Sequence, residues 1–422
     1  MIGIALLVGF ALFLFLGVPV GFSLGLSSLA VIIAKGLPWP LLDQRLFTPL
    51  NSFPLMAIPL FMLAGSLMGH GGITKRLIDF TLAFVGNMRG SLSHVVAITG
   101  VLMGGISGSG VADTAALGTI MTPEMTRRKY DLGFSAALIA ASGSLGLIIP
   151  PSIAIIIYGV VTGSSIGDLF LAAVVPGVMI GLGFLGYSFY EAARMGYPKE
   201  GTVSAAEKWR RFRDALWALV MPVIIIFGIR RGVFTATEGG AVVAVYALFV
   251  GMVVYREIEV KDLPYICFEA AVTTAAIAVV IAATSLFSWL LTSEQIPQRV
   301  TKLLLGLSDN KYVILLIINL ILLVVGMFLD SSPAIMLFAP ILFPAASALG
   351  VHPVQFGLIM VINVTIGLLT PPVGTALFVS SNISGVGLLE LSKKMIPFWI
   401  IMFTVLMLIT YVPGLTTGVV KT

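Results

Sequence analysis

Two adjacent-proline phrases stand inside apolar sequence: "GLIIPPSIA" at 146–154 and "GLLTPPVGT" at 367–375. A proline at position i offers no N–H to the carbonyl at i−4. Pro150 and Pro151 therefore release the carbonyls of Gly146 and Leu147, and Pro371 and Pro372 those of Gly367 and Leu368. The preceding residues, Ile149 and Thr370, are pushed out of helical geometry as well. A bare carbonyl in hydrocarbon costs several kcal/mol. A hard cation can satisfy it, and an oxygen-only ligand set suits Na⁺. The bland alternative is a kink whose carbonyls are met by a neighbouring hydroxyl or water. The residue types leave open whether the carbonyls of Gly367 and Leu368 or that of Thr370 would bind.

Two polar interruptions offer oxygens opposite these breaks, "GGISGSG" at 104–110 and "LDSSP" at 329–333. Each is too rich in turn residues to hold a helix mid-span, so the chain turns back there. Ser332–Pro333 reads as an N-cap followed by proline in the first turn of a new helix. The expected ion ligands are Ser107, Ser109, Gly146, Ile149 and Pro150 in one half. In the other they are Gly326, Asp330, Ser331, Ser332, Gly367, Thr370 and Pro371. The second limb of each turn starts a helix whose N-terminus carries partial positive charge, which favours an anionic substrate between the tips. Gly108, Asp113, Thr114, Ser152, Ser332 and Thr375 are the expected substrate residues. Asp113 reads equally as a helix cap or as a functional acid. Glu238, at the start of a span, reads as interfacial.

The elements that must hold these groups are apolar helices. Of 422 residues 58% are hydrophobic and 10% charged, with mean hydropathy +1.08. No soluble domain hides that much apolar surface. Stretches 2–16, 18–34, 53–69, 168–192, 212–229, 237–255, 264–291 and 395–412 are nearly charge-free and span-length. The chain is expected to be an all-α polytopic membrane protein without a cleavable signal peptide. The single cysteine, Cys267, excludes an internal disulfide or a multi-cysteine metal site. His70, His94 and His352 lack ligand spacing and read as structural or loop residues. The net charge of +5 does not point to nucleic acid. Instead, 16 of the 24 lysines and arginines fall in segments assignable to the cytoplasm if 91–126 turns back without crossing.

The two halves repeat one order: spans, an amphipathic arm, a re-entrant helical hairpin, a broken transmembrane helix, a further span. "SGS" at 107–109 pairs with "DSS" at 330–332, and "GLIIPPS" with "GLLTPPV". Five crossings between the hairpins make the second enter from the opposite face, an inverted-topology repeat of the kind found in secondary transporters. The expected division is 1–195 (hairpin about 91–126, broken helix 133–163), a cytoplasmic amphipathic linker at 196–211, and 212–422 (hairpin about 312–349, broken helix 354–384).

"GGISGSGVADTAALGTIMTPEM", "SGSLGLIIPPSI" and "IGLLTPPVGT" resemble the large membrane (M) subunit of tripartite ATP-independent periplasmic (TRAP) transporters. The resemblance covers essentially the whole chain. It implies Na⁺-driven import of an organic acid, such as sialic acid or a C4-dicarboxylate, across the bacterial inner membrane. It also implies an elevator-type transport domain moving against a scaffold. The implied partners are a small four-helix membrane subunit and a periplasmic substrate-binding protein; with the chain starting at "MIGIALLVGF", the small subunit is expected to be separate. No cofactor is expected beyond Na⁺ as coupling ion. The family's ion and substrate region maps onto 107–109, 330–332, 146–152 and 367–375.

A stand-alone Na⁺/dicarboxylate symporter is the alternative transporter reading. An intramembrane aspartyl protease fits poorly: Asp113 is displaced from the glycines of "GSGVAD", and Tyr130–Asp131 lies in a basic loop. A channel fits less well still, because inverted hairpins with midplane sites suit alternating access.

Overall fold

A computed structural model describes residues 2–420, which are helical almost throughout, with no strand among them. The first half contains α1 (Ile2–Phe15), α2 (Val20–Lys35), α3 (Trp39–Phe47), α4 (Ala57–His70) and the amphipathic α5 (Ile73–Val85). Next come α6 (Ser91–Ser107) and α7 (Gly110–Arg127), joined by two residues. Then follow α8 (Leu132–Ser144), α9 (Ile153–Thr162) and α10 (Ile166–Met195). Two helices stand between the halves, α11 (Ala205–Arg230) and α12 (Ala236–Phe249). The second half runs through α13 (Leu263–Ser293), the amphipathic α14 (Ile296–Leu307), α15 (Lys311–Phe328) and α16 (Ser331–Ala348). It ends with α17 (Pro353–Gly367), α18 (Thr375–Ser384) and α19 (Leu388–Tyr411).

The helix ends follow local chemistry. Asp131, Ser152, Ser165 and Ser204 each accept a hydrogen bond from a backbone N–H three residues on, satisfying a donor the helix leaves orphaned. Thr235 and Glu238 form a reciprocal capping box at the start of α12, which accounts for Glu238. The charged stretch from Ala205 to Arg213 is not a separate segment but the first turns of α11. Asp131, from the basic loop, caps α8 and pairs with Lys394 at 3.0 Å.

Eight helical segments among the described residues are long and apolar enough to cross a membrane. Large apolar side chains face outward, Phe15 at 85% exposure and Phe47 at 68%, as a lipid-facing belt requires. Hydrocarbon supplies no hydrophobic force between helices, so close backbone approach must hold them together. Small residues provide it. A Cβ on Gly100 would meet Ser142 Cβ at 2.6 Å, and one on Gly367 would collide with the backbone of Gly326.

The helices sort into two groups. In one, α4 packs on α12 and α13, and α13 on α2. In the other, α7 packs on α8, α18 on both, α16 on α9, and α17 on α15 and α19. The amphipathic α5 lies against α6 and α11, and α14 against α16, so the arms touch the second group.

The correspondence between halves is closer in the structure than in the sequence. Ser109 caps α7 and Asp330 caps α16, each 41 residues before its proline pair (150 less 109; 371 less 330). Pro123 and Pro344, Pro176 and Pro397, and the caps Asp131 and His352 share the same 221-residue separation (344 less 123). The sequence pairing of "SGS" with "DSS" is therefore off by two. Capping position, not residue type, sets the register.

Candidate functional site

Each tip is tied to its own break. Gly108, at φ +69°, ends α6 in a left-handed turn. A Cβ there would lie 2.6 Å from the carbonyl oxygen of Pro151, so only glycine fits. The Ile153 N–H donates to the Gly108 carbonyl at 3.4 Å. The Ser109 N–H donates to Ser107 Oγ at 3.2 Å, and the Ala112 N–H to Ser109 Oγ at 3.4 Å. In the second half Asp330 Oδ1 accepts from the Ser331 N–H at 2.8 Å, so Asp330, rather than Ser332, is the N-cap. The Val373 N–H crosses to the Met327 carbonyl at 3.2 Å.

The breaks lie where expected, at 145–152 and 368–374, with Pro150–Pro151 and Pro371–Pro372 both cis. Their carbonyls are not all free. Ser152 Oγ donates to the Leu147 carbonyl at 2.5 Å, and the Thr370 N–H takes the Gly367 carbonyl at 2.8 Å. Trp399 Nε1 donates to the Leu369 carbonyl at 3.2 Å. Among the described residues no hydrogen bond reaches the carbonyls of Gly146, Ile148, Ile149, Leu368 or Thr370. Of the oxygens left open by the sequence, that of Gly367 is thus occupied, and those of Leu368 and Thr370 are available.

A cavity of about 700 Å³ brings both tips together: Ser107, Gly108 and Ser109 face it with Asp330, Ser331 and Ser332. Leu147, Leu368, Asp113 and Thr375 line it too. Asp113 does not cap α7, since Ser109 does. It is 1% exposed, and neither its Oδ2 nor Thr375 Oγ1 has a hydrogen-bond partner. Buried polar atoms without partners are costly, and both belong to residues that line the cavity. Gly374 starts α18 with no side-chain cap, leaving first-turn N–H groups open beside Thr375.

Other expected residues serve the surrounding framework. Thr114 Oγ1 donates to the Gly110 carbonyl at 2.8 Å within α7. Ser152 is fully buried and caps α9. Gly146 lets the first break approach Asp113, since a Cβ there would fall on Oδ2. Gly326 and Gly367 form a backbone-to-backbone contact. Ile149, Pro150, Thr370 and Pro371 lie in the breaks and do not line the cavity.

The opposite wall was not anticipated. Ser66 and His70 on α4 and Glu269 and Thr273 on α13 line the same cavity. Ser66 Oγ donates to Glu269 Oε2 at 3.2 Å, and His70 Nδ1 lies 3.8 Å from that oxygen. His70, expected as a structural or loop residue, stands at the end of α4 with its ring held on the Ser66 carbonyl and lines the cavity. Two i, i+4 polar pairs in otherwise apolar spans could have revealed this wall.

Residues 7–415 match the family model of the tripartite ATP-independent periplasmic transporter DctM component. The chain belongs to that family. This DctM chain is 40% identical over 408 residues to the isethionate TRAP transporter permease protein DctMQ of Oleidesulfovibrio alaskensis, covering 96% of itself but 64% of that longer protein. It is 39% identical to the sialic acid TRAP transporter large permease SiaM of Vibrio cholerae, covering 96% and 95% of the two chains. The C4-dicarboxylate large permease DctM of Rhodobacter capsulatus is 37% identical, with 95% and 94% covered. These relatives are transporter permeases, not enzymes. The fold is shared with MtrF of Neisseria gonorrhoeae at TM-score 0.65 and 14% identity, over 87% and 83% of the chains. With its apolar helices, the DctM chain is a multi-pass protein of the bacterial inner membrane.

Proposed function

We propose that the chain imports an organic acid by symport with Na⁺, its two halves forming an inverted repeat whose re-entrant helix pairs meet at the substrate. The observation that carries this is the cavity, which gathers both tips and the edges of both breaks between the two helix groups. Unclaimed carbonyls beside Asp330 and the serine hydroxyls make oxygen-only sites suited to Na⁺. Helix N-termini and the open Thr375 hydroxyl suit a carboxylate. The group containing α6–α10 and α15–α19 would move as an elevator against the group containing α4, α12 and α13. The acid, a carboxylate such as sialic acid or a C4-dicarboxylate, would be handed over by a periplasmic binding protein, with a small four-helix membrane subunit beside the scaffold. The named relatives transport acids of this class.

Thermal unfolding of the purified chain in Na⁺ and in K⁺ tests the ion sites. A ligand at 100 times its dissociation constant stabilises by about 2.7 kcal/mol. Na⁺ is expected to raise the Tm of the wild-type chain and not that of Asp330→Ala. Equal Tm in both salts would contradict the reading.

A further inference from the structure

We propose that Glu269 makes the cavity selective for hydroxylated monoanions over dianions; this rests on reading the cavity as the substrate site. The two walls differ in chemistry. The tip wall carries Asp113 and Asp330, and behind it lie the breaks with their unclaimed carbonyls, of which Leu368 lines the cavity, so cations bound there would offset both carboxylates. The α4–α13 wall has no such oxygen cage. Its acid is Glu269, whose Oε2 accepts from Ser66 while Oε1 takes no hydrogen bond among the described residues. The nearest basic side chain, His70, gives its Nδ1–H to the Ser66 carbonyl at 3.0 Å, which fixes the ring 3.8 Å from Glu269 Oε2. Tyr265 closes on the edge of that ring, and Thr273 Oγ1 is turned back onto the Glu269 carbonyl at 3.0 Å. Glu269 is half-exposed, at 47%, and lines the cavity with Oε1 free to accept from a ligand.

An acid anchored by one carboxylate at the tips would present its far end to Glu269. A hydroxyl there donates a hydrogen bond to the carboxylate. A second carboxylate meets like charge and leaves the Glu269 oxygen unpaired, and sites built to bond a hydroxyl reject partners that cannot supply it. Asp113 Oδ2 and Thr375 Oγ1, buried and unpartnered on residues that line the cavity, are a second observation that points to a polar ligand. The substrate class assigned is thus a polyhydroxylated monocarboxylate.

The test is thermal unfolding of the full chain in saturating Na⁺ with D-gluconate or succinate as probes. The wild-type chain is expected to respond to gluconate at concentrations about tenfold lower than to succinate, one charge–charge interaction's worth. Glu269→Gln is expected to remove that preference. Ser66→Ala, which frees the carboxylate it positions, is expected to reduce it in part. A wild-type response equal for both probes, or to neither, overturns the proposal, as does an unchanged ratio in Glu269→Gln. The Na⁺ shift without organic acid reads the ion sites alone. Its absence would count against the proposed function, whereas its persistence beside an unchanged ratio sinks only the role of Glu269.

Discussion

Gly108 shows how tightly the site is specified at the level of single residues. Its positive φ excludes a side chain, and so does the Pro151 carbonyl against it. Gly108→Ala is expected to cost about 2 kcal/mol or more, seen as a lowered Tm with a blunted Na⁺ shift; an unchanged Tm would mean that the tip is not braced by the break. Asp113 has no protein partner for Oδ2, so Asp113→Asn keeps its size while removing charge. It is expected to leave the Tm without Na⁺ within about 1 kcal/mol of wild type and to weaken the Na⁺ response, which titration of Tm against Na⁺ would show. At this scale the sequence was informative where a residue breaks a rule: serines, an aspartate and prolines in hydrocarbon announce themselves. Ser66, His70 and Glu269 spoke more quietly, as members of i, i+4 polar pairs whose joint meaning depends on two helices some 200 positions apart, as the Ser66–Glu269 separation of 203 shows.

At the level of elements, the breaks are hydrogen-bonded structures, with only part of their backbone left open. Ser152 both caps α9 and closes the Leu147 carbonyl. Ser152→Ala removes both bonds and is expected to lower stability by about 1–2 kcal/mol, measured as Tm, while the Na⁺ increment survives because Leu147 is not among the unclaimed carbonyls. Loss of the increment would instead place Ser152 at an ion. The existence and order of these elements were legible, since proline pairs and Gly/Ser turns interrupt otherwise unbroken apolar runs. Their register was not. Ser109 and Asp330 correspond through the N-cap each provides, a backbone property that residue matching of "SGS" with "DSS" could not reveal.

At the level of the molecule, the cavity lies between the two helix groups, so motion of one against the other must change its access. A Cβ on Gly65 of α4 would stand 3.5 Å from the carbonyl oxygen of Ser107 and 4.0 Å from its Cα, close enough for a disulfide. Gly65→Cys with Ser107→Cys, in a Cys267→Ser background, is expected to cross-link, and the oxidised protein is expected to take up less than the same variant reduced. Undiminished uptake by the cross-linked protein would exclude relative motion at this contact. The measurement that bears most directly on the whole mechanism is uptake into proteoliposomes holding the chain with its small membrane subunit and the loaded receptor, under equal inward gradients of Na⁺ or K⁺. Accumulation of the labelled acid with Na⁺ and none above background with K⁺ is the predicted result. Equal accumulation with both ions would contradict Na⁺ coupling at the paired breaks.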